Sequence, residues 1–173
     1  MSKVIKCKLS VSSIDNAIKE LQTYREELND KLQQFINVLL QDGVVVANAK
    51  LSSTIGDSVE GVIGFGVNAG GDIMSATISL EGKDALFIEF GAGIAYNTGE
   101  QHPKADEFGY GPGTYPSKHP PNKAINPGYW FYRDDSKNLQ KSIGTEATMP
   151  IYHAGNTIRN NLIQKAIENF MRG

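Results

Sequence analysis

The stretch Asp84–Asn97, DALFIEFGAGIAYN, divides two readings of the chain. One carboxylate, Glu89, stands in an apolar run that ends in Gly91-Ala92-Gly93. Leu86, Ile88 and Phe90 alternate with their neighbours, the period of a strand half-buried on one face. On that reading Glu89 is either an active-site acid or a side chain at the rim of a sheet. In the second case it pairs with Lys or Arg, or accepts hydrogen bonds from loop amides. The glycines permit dihedral angles that other residues avoid and release the chain into a loop.

Upstream, the same alternation predicts two more strands. In Val59–Val67 the odd positions read Val, Gly, Ile, Phe, Val, and in Asp72–Leu80 Met74, Ala76, Ile78 and Leu80 share a face. The connections Asn68–Gly71 and Glu81–Asp84 are too short for parallel crossovers, so 59–90 is expected to form an antiparallel meander. Before it, Ile14, Ala17, Ile18, Leu21, Leu28, Leu32, Phe35, Ile36, Leu39 and Leu40 recur at spacings of three and four. These predict one long helix over 13–51, capped by Ser12-Ser13 with Asp15 at its positive end, and kinked near Asn29 or Gly43 or split into two packed segments.

Downstream, 91–127 holds six of the seven prolines and no leucine or valine. Proline donates no amide hydrogen bond, so a long loop without a regular ladder is expected, with Phe108, Tyr110 and Tyr115 to dock on a partner. Tyr129–Tyr132 and Leu139–Thr145 flank the turn residues Asp134–Asn138 and predict a hairpin over 128–145, its aromatic strand buried on both sides. Met149-Pro150 opens a final helix over 149–172, with Ile151, Ile158, Leu162, Ala166, Ile167 and Phe170 inward. The expected architecture is one α+β domain over 1–173. An antiparallel sheet of four to five strands packs against a long N-terminal and a C-terminal helix.

Bulk properties bound the function. The chain has 173 residues, a net charge of −2, a sequence pI near 5.9 and a mean hydropathy of −0.31. That is a globular composition without the basic surplus of a duplex-DNA grip. One cysteine, Cys7, allows no internal disulfide, which suits a reducing cytoplasm, and no signal peptide or membrane-length apolar run is read. The stretch Gly64–Ala69, GFGVNA, matches a loose dinucleotide pattern, but an alternating strand follows where a helix is required; its glycines are read instead as sites of close backbone approach. His102, Asp106, Glu107 and His119 share one loop without metal-ligand spacing, and His153 is read as a packing or surface residue. No serine sits in a nucleophile elbow, and Glu89 has no titratable neighbour in sequence. No catalytic residue, cofactor or metal site is therefore expected. The competing reading is a small enzyme or ligand-binding module using Glu89, His102 and His119.

Taken in order, the capped helix, the meander ending in FIEFGAG, the Gly/Pro/Tyr/His-rich loop, the GYWFY strand and ATMPIYHAG resemble the tail-component family of tailed bacteriophages, the head–tail joining or tail-completion proteins. Met149-Pro150 matches the start of that family's MPARPF-like segment, whereas Ile151-Tyr152-His153 departs from it. The resemblance implies a structural virion protein of the neck without enzymatic activity, assembled in the host cytoplasm as a homo-oligomeric ring, a hexamer. Its implied neighbours are a head-side connector or head-closure protein and a tail terminator or tail tube protein, with genomic DNA passing through the lumen without specific binding and no membrane contact. Glu89, Gly91, Gly93, Phe108, Tyr110 and Tyr115 are the interface candidates, and the loop 94–127, with too few apolar residues to fold on itself, is expected to be mobile in the free monomer and ordered in the ring.

Overall fold

The computed structural model describes residues 4–54, 60–70, 73–93, 100–112, 130–142 and 144–171. One unbroken helix, α1 (Val11–Ser52), runs through both Asn29 and Gly43 without dividing into two segments. Its 42 residues span about 63 Å at about 1.5 Å each. The expected serine cap is not formed. Ser10 occupies the cap position without a side-chain bond, and the first turn carries no acid. Ser13 Oγ instead accepts the Lys8 amide at 2.9 Å, tying the preceding arm to the helix. At the other end Lys50 lies in the last turn, where a cation suits the helix dipole.

Among the described residues, those of α1 that are buried lie in its C-terminal half. Leu39, Leu40, Val44 and Ala47 are buried there. Opposite them lies α3 (Pro150–Met171), close to the expected 149–172. The two helices are antiparallel: Phe35 meets Phe170 edge-on at 5.6 Å, Asp42 takes Lys165 at 3.5 Å and the Asn161 amide at 3.3 Å, and Ala47 shares a cluster with Ala154. Gly43 is the point of closest approach, since a Cβ there would lie 2.5 Å from Ile78 Cδ1 and 2.7 Å from Ile158 Cδ1. The expected inward stripe of α3 is incomplete, because Leu162 and Ile167 remain exposed.

The hairpin β1 (Val62–Gly70) and β2 (Ile73–Glu81) lies across this helix pair, antiparallel, with Val62 opposite Glu81 and Gly70 opposite Ile73. This register puts Ile63 and Phe65 on one face with Leu80 and Ile78, as the alternation predicts. Ile63, Ile78 and Leu80 join Ala47, Leu51, Ile151 and Ala154 in the core, while Phe65 and Ile73 stand exposed towards the far end.

The third strand of the expected meander is a helix. Ala85–Phe90 forms α2, so the sheet stops at two strands. Six residues are too few to separate a period of two from one of 3.6. The helix buries Ile88 and Glu89 together and leaves Leu86 52% exposed, which a strand with Leu86, Ile88 and Phe90 inward would not do. Gly91, at φ 74°, ends α2, and its amide reaches back to the Phe87 carbonyl at 2.8 Å.

The remaining sheets among the described residues are also two-stranded. The parallel pair is β3 (Ala92–Gly93) with β4 (Gly111–Pro112), and the antiparallel pair is β5 (Trp130–Arg133) with β6 (Leu139–Ser142). The expected ladder-free loop is thus corrected over 100–112, which turns compactly and pairs with β3, its proline at the strand end where no amide is required. The β5–β6 hairpin forms as expected around Asp134, whose carboxylate accepts the Asn138 amide at 2.8 Å. It is not buried on both sides, since Phe131 is 56% exposed.

Candidate functional site

The start of α3 lacks a local cap. Its first residues, Pro150-Ile151-Tyr152, follow Met149, which has no side-chain acceptor and sits at φ 52°. The first amides of a helix have no partner within it and need an acceptor from elsewhere. Glu89 supplies one across 62 positions of chain. Its Oε2 accepts the Ile151 amide at 2.9 Å and its Oε1 the Tyr152 amide at 2.8 Å. The carboxylate is only 8% exposed and meets the positive end of the α3 dipole. The neighbouring backbone closes the same joint. Thr148 donates to the Ile88 carbonyl at 3.0 Å, Ala92 and Thr145 exchange amide bonds at 2.9 and 2.8 Å, and Gly111 donates to Gly91 at 3.0 Å. Gly144, at φ 101°, passes so near the Ala92 carbonyl that a Cβ would collide with it. The Thr54 and Thr148 hydroxyls, 3.1 Å apart, attach the end of α1.

His102 covers the remaining side of Glu89. Its Nε2 lies 3.6 Å from Oε1, longer than a hydrogen bond, and its Nδ1 accepts the Lys104 amide at 3.1 Å. An accepting Nδ1 assigns the proton to Nε2 in the neutral ring. Burial pushes the imidazole below its ordinary value; the Glu89 carboxylate pulls it back up, and Lys104 adds a smaller downward push. The ring is held by aromatic edges, with Phe90 at 4.4 Å and Tyr152 at 5.1 Å.

Beside this pair opens a cleft of about 360 Å³, lined by Ile78, Leu80, Leu86, Phe90 and Tyr152 with Glu89 and His102 at its wall. Its surface is mainly apolar, with Ser79 the further polar residue in the lining. Both carboxylate oxygens already hold amides of α3. The arrangement therefore orients a helix and offers a mainly apolar recess, and among the described residues no second acid lines it with Glu89. Among the described residues no three His, Cys, Asp or Glu side chains converge to hold a metal.

The other sequence candidates fall as follows. Phe108 and Tyr110 pack on the chain's own Phe90, at 5.3 and 5.6 Å, and Phe87 meets Tyr110 at 5.9 Å. Phe108 keeps an exposed face. Gly91 and Gly93 both adopt positive φ, 74° and 110°. Tyr115 and His119 lie outside the described residues, and Asp106 and Glu107 are exposed. His153 lies 3.9 Å from the Glu100 carboxylate and packs on Tyr152. Gly64–Ala69 lies within β1, and the close backbone approach read for its glycines is not formed. A Cβ at Gly64 would meet the side chains of Ser79 and Glu81, and one at Gly66 would meet open space. Sequence reasoning missed Ile151 and Tyr152 as the amides that Glu89 serves. The available signal was a helix start, Thr148–Pro150, without Ser, Asp or Asn beside the proline.

No protein family, no curated protein and no solved structure matches this chain. Among the described residues no helix is long and apolar enough to cross a membrane.

Proposed function

We propose that the chain is a structural protein of the bacteriophage neck, a subunit of a ring that joins the capsid connector to the tail. The observation that carries this reading is the joint at Glu89. FIEFGAG and ATMPIYHAG, the two segments closest to the tail-component pattern, interlock through Glu89 on the α3 amides and through the Ala92–Thr145 bridge. Both Glu89 oxygens are thereby engaged in architecture. In this reading the ring is a hexamer of this chain alone. It sits between a head-side connector or head-closure protein and a tail terminator or tail tube protein, and DNA crosses its lumen unread. The experiment is deletion of the gene in its phage. Filled heads and finished tails that fail to join support the reading, and infectious particles in normal yield overturn it.

The cleft beside His102 favours a second reading, a ligand-binding module or small enzyme. His102→Ala separates the two. If assembly persists while ligand binding or turnover disappears, the cleft is the working part.

A further inference from the structure

The segment 100–112 is fastened at its two ends by different chemistry. Its later half is held by apolar packing and backbone bonds. Phe108 and Tyr110 lie on Phe90, Ala105 is buried and its carbonyl takes the Tyr110 amide at 2.9 Å, and Gly111 donates to Gly91. These contacts are uncharged. The earlier half depends on one imidazole. His102, Pro103, Lys104 and Ala105 form a β-turn, with Pro103 suited to its second position and the Ala105 amide reaching the His102 carbonyl at 3.0 Å. The Lys104 amide inside that turn is taken by the His102 ring itself, at Nδ1, 3.1 Å away. The same ring stands between Phe90 and Tyr152 as part of the cleft wall, with its side chain 9% exposed.

We propose that His102 is a pH-operated latch: on acidification the imidazolium leaves the cleft wall, the turn 102–105 opens and the recess beside Phe90 and Tyr152 widens, while 108–112 stays anchored. The bond to Lys104 carries the argument. A neutral ring with its proton on Nε2 takes the second proton at Nδ1, the atom that accepts that amide. The imidazolium has two donors and no acceptor, so protonation sets one N–H against another and the turn loses its side-chain bond. The ionisable groups that face the ring among the described residues are Glu89 from α2, Tyr152 from α3 and Lys104 on its own segment; next to Tyr152, His153 lies 3.9 Å from Glu100. β2 brings only uncharged residues to the cleft, Ile78, Ser79 and Leu80. Glu89 offsets the charge in part. Its oxygen stands 3.6 Å from Nε2, beyond hydrogen-bond reach, and each of its oxygens already takes an α3 amide. Burial and the Lys104 ammonium act against the charged ring, and burial is the largest influence on it. In the opened turn the ring meets water and takes the proton at its ordinary value, so acid favours opening. The latch stands on the geometry of this joint and not on the neck reading.

The test is hydrogen exchange of the full-length protein, read by peptide mass between about pH 8 and pH 5, with wild type and His102→Phe compared at each pH so that the intrinsic dependence of exchange on pH cancels. The expected result is a ratio for the 101–107 peptide that is flat above pH 6.5 and rises below it, by up to about tenfold per pH unit, while the ratios for 108–112 and for the start of α3 stay level. His153→Gln keeps the rise, which assigns it to His102 and not to the neighbouring pair with Glu100. A flat ratio for 101–107, a rise shared equally by 108–112 and α3, or a rise lost in His153→Gln overturns the proposal. A second measurement needs no variant. In nitrogen-15 NMR of the wild type, the Lys104 amide resonance should shift along the same titration curve as the His102 ring nitrogens. An amide that holds still while the ring titrates overturns the latch and leaves the neck reading in place.

Discussion

Glu89 shows how one side chain can hold two distant segments in register. Each of its oxygens takes an amide that the helix cannot satisfy itself, and hydrogen bonds to an ionised acceptor contribute about 1.5–3 kcal/mol each. Glu89→Ala strands both amides, and we expect a loss of about 3–4 kcal/mol in equilibrium urea unfolding. Glu89→Gln keeps one acceptor oxygen and costs about half as much. Equal stability of wild type and Glu89→Ala would mean that the contact is incidental. His102 gives a signed prediction in pH. Its folded value lies below the ordinary 6.5, so the unfolded chain takes up the proton first as the solution is acidified. Its contribution is complete above pH 6.5 and declines as pH falls through 6.5 towards the folded value. Replacing it in His102→Phe keeps an aromatic ring between Phe90 and Tyr152 but removes that slope. The quantity to follow is the stability difference between the two proteins across pH; a constant difference argues against a neutral, buried imidazole.

At the scale of elements, a tight constraint within α1 is Gly43, which lets Ile78 and Ile158 approach. The crowding atoms are the ends of flexible side chains, so Gly43→Ala combines a gain in helix propensity of about 1 kcal/mol with a forced rearrangement. Gly43→Leu has no such room, and we expect it to lower stability by about 3 kcal/mol in the same denaturation experiment. A stability within 1 kcal/mol of wild type would show that the packing yields there. How far each element was readable from sequence follows from its length. The α1 periodicity persists from Ile14 to Leu40, and the expected helix matches the observed one to within two residues at its start and one at its end. The hairpins carry period two over four to nine residues with turn chemistry between them. Ala85–Phe90 is too short for either period to prevail, and what decides it is the burial of Glu89 against a helix that begins 61 residues later. The candidate site was legible in the same measure. Glu89 stands out locally as a lone carboxylate in an apolar run, whereas its partners lie across a separation that no local pattern spans.

As a whole, the molecule is uneven. The hydrophobic core gathers around Ala47, Ile63 and Ala154, while the first twenty residues of α1 and the far end of the β1–β2 hairpin extend beyond it. Amides of 11–28 should exchange with solvent far faster than those of 39–51, since the described buried residues of α1 lie in the latter segment. Hydrogen exchange read by peptide mass resolves the two halves; uniform protection along the helix would mean that the body extends further than its packing indicates.

The placement of Ala47 against Ala154 has a consequence for biosynthesis. About a hundred residues separate these positions, and a ribosome adds about 5–20 residues each second. The first helix therefore emerges about 5–20 s before α3, and the side of Leu39, Leu40 and Val44 that α3 covers stays open to solvent during that interval. Until translation reaches α3 the nascent chain has no way to complete its own interior, and that delay is when chaperones would be most needed.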